Sequence, residues 1–166
     1  EKDPFTFLRA AAALAQRTDI ALAMIGGMRD PELADTFNEL VVRAPNVQVL
    51  GALPHAATRQ RIRRAHVLVV PSRMEGGANV VVEAVVSGTP VIAADCDGNV
   101  GMLGEDYPGY FPVGDHAALA PLLVRCRDEP AYLARLARMI EARAPLFSPQ
   151  AERSSLAAVL ERCNVD

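Results

Sequence analysis

The sequence predicts an α/β domain in which a parallel sheet carries helices on both faces. Three observations predict it. Short apolar runs at 20–25, 47–50, 67–70 and 90–94 alternate with longer segments at helical spacing, and that alternation is what a parallel, doubly wound sheet requires. The first three runs are closed by Gly26-Gly27, Gly51 and Pro71, which punctuate strands from the loops that follow them. The stretch 66–94 reads as one unit of strand, tight loop, helix and strand, with the loop at the carboxyl end of a strand.

Taken in order, Lys2-Asp3-Pro4 leads into an Ala-rich helix over 5–16, with Asp3 as its N-cap and Pro4 at the first helical position. Residues 20–25 form a buried strand. Helical spacing returns over 31–42 through Leu33, Phe37 and Leu40, and 47–50 is a short strand. A helix over 56–65 carries Arg59, Arg61, Arg63 and Arg64, a solvated face, before the strand at 67–70. The segment V-V-V-E-A-V-V is β-branched and would suit a strand by propensity. Its brackets decide for helix: Asn79 suits the N-cap, Gly88 the position just past the end, and Pro90 forbids continuation. A strand at 90–94 follows, then a Gly- and Pro-rich loop, a short strand near Tyr110-Phe111, and helices over 116–126, 131–142 and 149–162.

At 166 residues the chain makes one domain with room for a full core. A net charge of −3 gives no support for nucleic acid or an anionic membrane as partner, and no apolar run approaches the roughly 20 residues of a membrane span. The expectation is a cytoplasmic protein with Cys96, Cys126 and Cys163 as free thiols, odd in number and without metal spacing. Glu1 in place of Met suggests an excised piece of a longer protein.

The polar turn 73–79 is where chemistry is expected. Ligands of open α/β sheets bind at the carboxyl ends of strands, where helix-start amides attract an anion such as phosphate. Gly76 and Gly77 let backbone approach a phosphate closely, although an ordinary turn also explains them. Glu75 and Glu83 flank that amide cluster and can accept hydroxyls; equally, both acids favour a helix dipole. Arg73 fits either reading. His55, His66 and His116 form no triad or metal pattern, and Asp95 and Asp97 read as Asx turn residues.

The motif E-G-G-A-N-V-V-V-E-A, followed by S-G-T-P-V-I-A, resembles the glutamate-x7-glutamate signature of retaining GT-B glycosyltransferases of the large group 1 (GT4-like) family. Two departures stand out: G-G-A where members often have Gly-Phe-Gly or Gly-x-Pro, and 97–101, where members more often carry Gly-Gly and then a glutamate. Within the family, D-G-N-V-G-M-L-G-E-D-Y-P-G-Y-F-P-V-G-D most resembles the selenosugar synthases of selenoneine biosynthesis. The resemblance implies the Rossmann-like, carboxyl-terminal half of a two-domain enzyme, using a UDP-sugar without metal or other cofactor. It implies Glu75 as ligand of the donor sugar, Glu83 of the ribose, and Lys2 as clamp on the departing diphosphate. Gly76, Gly77, Ala78 and Asn79 would line the phosphates, and Gly51-Ala52-Leu53 would hold the base through backbone groups. The narrower match implies N-acetylglucosamine as sugar and selenophosphate as acceptor. The family places a central strand just before the segment matching Lys2, so the sheet is expected to have a gap beside its second strand or to close differently. The acceptor domain is expected on another part of the same protein, leaving this piece inactive alone. Two other readings stay open: a UDP-sugar epimerase of GT-B architecture, against which the paired glutamates argue, and a non-catalytic nucleotide-binding or interaction domain.

Overall fold

The computed structural model describes residues 1–27 and 30–163. Five strands, all paired in parallel, are flanked by helices: β1 (Leu22–Met24), β2 (Val47–Val49), β3 (Leu68–Val70), β4 (Val91–Ala94) and β5 (Tyr110–Phe111). The helices are α1 (Pro4–Ala13), α2 (Ala34–Arg43), α3 (His55–Arg64), α4 (Asn79–Ser87), α5 (Asp97–Leu103), α6 (His116–Asp128), α7 (Pro130–Arg143) and α8 (Pro149–Cys163).

The gap expected beside the second strand is seen as a division of the strands into two sheets among the described residues. Among the described residues β1 pairs with β2 alone, in register Leu22 to Val47, while β3, β4 and β5 form a separate ladder in that order. The break falls between β1 and β3, beside the second strand of the family pattern. Both pieces still point their carboxyl ends into loops on the same chain path: 25–27, 50–54, 71–78 and 95–96.

The main core sits on β4, whose four residues are all buried, packed by Val81, Ala84 and Val85 from α4, Phe111 from β5, Leu119 and Leu123 from α6, and Leu136 and Ile140 from α7. A smaller core joins Leu8 and Ala11 of α1 to Leu40 and Ala44, with Leu22 of β1 touching both. Segment 79–87 is a helix despite its valines. Val81, Ala84 and Val85 recur at helical spacing and are 2% exposed or less, while Val86 is 59% exposed. Burial of one face overrides β propensity here. Gly88 closes α4 at φ 73°, and Thr89 donates its amide back to Ala84 O at 2.9 Å, the paired bonding of a left-handed helix end.

Asp3 caps α1 as expected, accepting from the Thr6 amide at 3.1 Å and the Thr6 hydroxyl at 2.7 Å. The Gly-rich segment after β4, expected as loop, contains α5. Two glycines make it a poor helix by propensity. Tertiary bonds hold it instead: buried Asn99 donates to Ala94 O at 2.9 Å, and Arg143 donates to Met102 O and Gly101 O at 3.0 and 2.8 Å.

Candidate nucleotide-sugar site

Loops from the two sheets converge at the strand ends. Gly26 donates its amide to Gly51 O at 2.9 Å, so the loop after β1 braces the turn 51–53 after β2. Gly51 takes φ 66°, a left-handed turn that redirects the chain toward α3. The amino-terminal segment lies along the loop after β3, where the Arg73 amide donates to Glu1 O at 2.8 Å. Asp3, buried at the start of α1, also accepts from Arg73 Nε at 3.1 Å. Burial would raise its carboxyl, but the bonds from Thr6 and Arg73 outweigh it and hold Asp3 below the usual range.

These contacts deliver Lys2 to Glu75, with Nζ 2.5 Å from Oε1. The Lys2 side chain is 72% exposed and the Glu75 side chain 8% exposed. Burial pushes the Glu75 carboxyl up, and hydrogen bonds from Lys2 and the buried Ser72 more than reverse it, so the group stays ionised at neutral pH. A Lys ammonium has three N–H donors. One is spent on Glu75 in this pair.

The turn between the two acids is open. A Cβ on Gly76 or Gly77 would meet nothing within 4 Å, and neither residue has positive φ. The protein's own backbone therefore does not demand glycine at either position. Asn79 is not the N-cap expected of it. It is the first residue of α4; Ala78, extended at φ −78° and ψ 112°, takes the cap position, and no side chain caps the helix start. An extended residue just before the first helical turn is the cap by geometry, and Asn79 already has helical placement. The Ala78 amide is met by Met102 Sδ at 3.2 Å, a weak acceptor.

Glu83 lies one turn into α4, and the structure gives it a partner that the sequence did not reveal. His55, first residue of α3, brings Nε2 to 2.5 Å from Glu83 Oε1. The other oxygen, Oε2, is buried without a hydrogen-bond partner among the described residues. Since His55 follows Leu53 by two residues, this contact seats the 51–53 turn beside Glu83. Each acid is mostly covered, at 8% and 15% side-chain exposure, and already paired.

A cavity of about 320 Å³ opens beside Glu75, lined by Arg73, Met74, Cys96, Asp97 and Val113. Helix α5 shapes its wall. A Cβ on Gly98 would stand 1.9 Å from the Glu75 carbonyl oxygen, so only glycine lets α5 seat against the Glu75 turn. Asp95 accepts from the Val113 amide at 3.0 Å, a structural role. Among the described residues no group of His, Cys, Asp and Glu could hold a metal ion, and no helix is long and apolar enough to cross a membrane. Sequence reasoning missed His55 and Gly98 because neither has a local signal: one partner lies 28 residues from Glu83, the other is a packing constraint across two loops.

The domain is thus a parallel α/β unit with two carboxylates on either side of an open turn and a helix start that no side chain caps. The profile of the family "Glycosyl transferases group 1" matches residues 1–141, and the chain belongs to that family. It is 31% identical over 169 residues to a D-inositol 3-phosphate glycosyltransferase of Streptomyces avermitilis, covering 95% of this chain and 36% of that protein. A phosphatidyl-myo-inositol mannosyltransferase of Mycobacterium leprae is 34% identical over 110 residues, covering 64% of this chain and 28% of that one. The chain thus spans about a third of the curated relatives it matches. Among solved structures, Anabaena Alr3699/HepE in complex with UDP-glucose superposes with a TM-score of 0.82 at 20% identity, over 97% of this chain and 45% of that chain. Sucrose-phosphate synthase from Thermosynechococcus elongatus gives 0.71 at 24% identity, over 93% and 42%. These likenesses establish the GT-B type of fold. The relatives carry inositol names, and the narrower resemblance to selenosugar synthases gains no support from them.

Proposed function

We propose that this domain binds the UDP-sugar donor of a retaining, metal-independent glycosyltransferase. The observation that carries the reading is the arrangement of Glu75 and Glu83 on either side of the open Gly76-Gly77 turn and the uncapped start of α4, each acid already held by a side-chain partner, Lys2 or His55. In this reading Glu83 accepts ribose hydroxyls, Glu75 accepts hydroxyls of the donor sugar, and the backbone from Gly76 to Asn79 faces the diphosphate. Lys2 sits where an ammonium can hold Glu75 and, with its remaining N–H groups, stabilise charge that develops on the diphosphate as the glycosidic bond breaks. The turn 51–53, seated by His55 beside Glu83, receives the base. Arg73 belongs to the frame more than to the ligand, since its Nε is engaged by Asp3.

The acceptor side belongs to the part of such enzymes that this chain does not cover, so the chain alone is expected to bind donor without transferring it. N-acetylglucosamine and selenophosphate are the finer reading of donor and acceptor, resting on the resemblance of segment 97–115. A thermal-shift screen of nucleotide sugars tests the reading, because a ligand of the native state raises its melting temperature with concentration. UDP and at least one UDP-sugar should stabilise the chain in the absence of divalent metal. Stabilisation by none of them, or only by adenine dinucleotides, contradicts it. Incubating an enzyme containing this chain with the stabilising donor and selenophosphate then tests the acceptor, with release of UDP as the readout.

A further inference from the structure

We propose that His55 is a positioning residue for nucleoside recognition, fixing the Glu83 carboxylate so that it selects a ribose diol; this rests on the reading of Glu83 as ribose ligand. The geometry is specific. His55 Nε2 stands 2.5 Å from Oε1, and since a carboxylate only accepts, Nε2 must donate. The Glu83 side chain is 15% exposed, and its Oε2 is buried with no partner among the described residues. Buried polar groups in folded proteins are almost always hydrogen-bonded, so the orphaned Oε2 is an acceptor that the described residues leave without a donor.

The remaining capacity fits a vicinal diol. Each carboxylate oxygen accepts two hydrogen bonds. Oε1 can keep His55 and take one hydroxyl, while Oε2, covered in this structure, takes the other where the ligand displaces what covers it. His55 therefore stays in place when the nucleoside binds. Because the carboxylate ends a flexible side chain, a fixed donor on one oxygen removes the rotation about its last bond, and the diol meets an acceptor pair already in plane. The same contact ties the start of α3 to α4, so the turn 51–53 and the diol acceptor are set relative to each other by one side-chain bond. His55 is 74% exposed and buries little, so its role in packing is small.

Calorimetric titration of the 166-residue chain with UDP and with 2′-deoxy-UDP tests this in the parent, His55→Ala, His55→Gln and Glu83→Gln, with thermal unfolding to verify the fold of each. Losing one positioning hydrogen bond should weaken UDP binding about threefold to tenfold in His55→Ala. Binding of 2′-deoxy-UDP should change less, so the preference for the ribonucleotide falls. His55→Gln, whose amide can donate to Oε1, should recover part of that preference. A purely structural role would weaken both ligands equally, and that result overturns the inference. So does a His55→Ala variant that keeps the parent's preference while Glu83→Gln loses it, which leaves the ribose reading standing. If Glu83→Gln keeps the preference, or the parent has none, the ribose reading fails and this inference with it.

Discussion

Glu75 and Glu83 are the same residue type on the same short stretch, each with a nitrogen partner 2.5 Å away, yet the protein holds them by different means. Glu83 rides on a helix whose opposite face is core: Val81, Ala84 and Val85 anchor α4 against β4, and the carboxylate inherits that rigidity. Glu75 sits in a turn with exposed neighbours, Met74, Gly76 and Gly77. It is held by a backbone fit against Gly98 and by an exposed lysine reaching over from the amino-terminal segment. The difference teaches where each corner is vulnerable. A change near Glu83 must break a side-chain bond to matter, whereas the Glu75 corner moves if a single neighbouring Cβ is added.

Gly98→Ala should break the Glu75 corner and give the largest effect. The added methyl would stand 1.9 Å from the Glu75 carbonyl oxygen, and overpacking of this kind costs about 1–3 kcal/mol. Thermal unfolding should show a melting temperature lower by several degrees, and titration should show weaker UDP-sugar binding with UDP affinity retained. Gly109→Ala is the comparison, since its Cβ would meet Val91 O at 2.6 Å inside the core. It should destabilise similarly while affecting UDP and UDP-sugar alike. Equal loss of both ligands in Gly98→Ala would erase the distinction between the corners.

Asp3→Ala should act next in size. It removes the cap of α1 and the acceptor that holds Arg73 beside the Lys2 segment. Loss of an N-cap costs about 0.5–2 kcal/mol. Because the Asp3 carboxyl is lowered in the fold, its contribution is complete above the ordinary range near about pH 4 and is lost as pH falls through the lower folded value. The parent should therefore lose stability on acidification more steeply than Asp3→Ala below about pH 4. Parallel acid profiles would show that the Asp3 bonds contribute nothing.

Lys2→Met should be the mildest for stability, changing it by roughly 0–1 kcal/mol, as exposed ion pairs do. Its ligand effect should differ from that of Gly98→Ala: UDP and UDP-sugar should both bind more weakly through the charge lost beside the diphosphate, with the ribonucleotide preference set at Glu83 intact. A change in that preference would mean that the two corners are coupled.

Much of this was legible in the sequence. Strand order and the α4 boundaries follow from punctuation, since Gly51, Pro71, Gly88 and Pro90 act locally and the chain obeys them. The Asp3-Pro4 start of α1 was readable for the same reason. Asn79 misled because cap preference is only a one-residue prior, and the extended Ala78 took the position. Helix α5 was invisible because its support comes from Asn99, Arg143 and Gly98 contacts across the fold, against a local composition that disfavours helix. The division of the sheet could be anticipated only from the family pattern, since nothing within 20–25 or 67–70 records which strand its neighbour is. The partners of the two acids, Lys2 and His55, lie 73 and 28 residues away, and only folding brings them in.

The central claim is that the two acids divide one ligand between them, and titration calorimetry of Glu83→Gln and Glu75→Gln with UDP and with a UDP-sugar tests it most directly. Glutamine keeps the shape and removes the charge. Charge-assisted hydrogen bonds contribute about 1.5–3 kcal/mol, so Glu83→Gln should weaken UDP by about tenfold or more. Glu75→Gln should leave UDP affinity near the parent's and weaken only the UDP-sugar. Parent-like UDP binding by Glu83→Gln would contradict the account and leave Glu83 as an acid near a helix start with no ligand to hold.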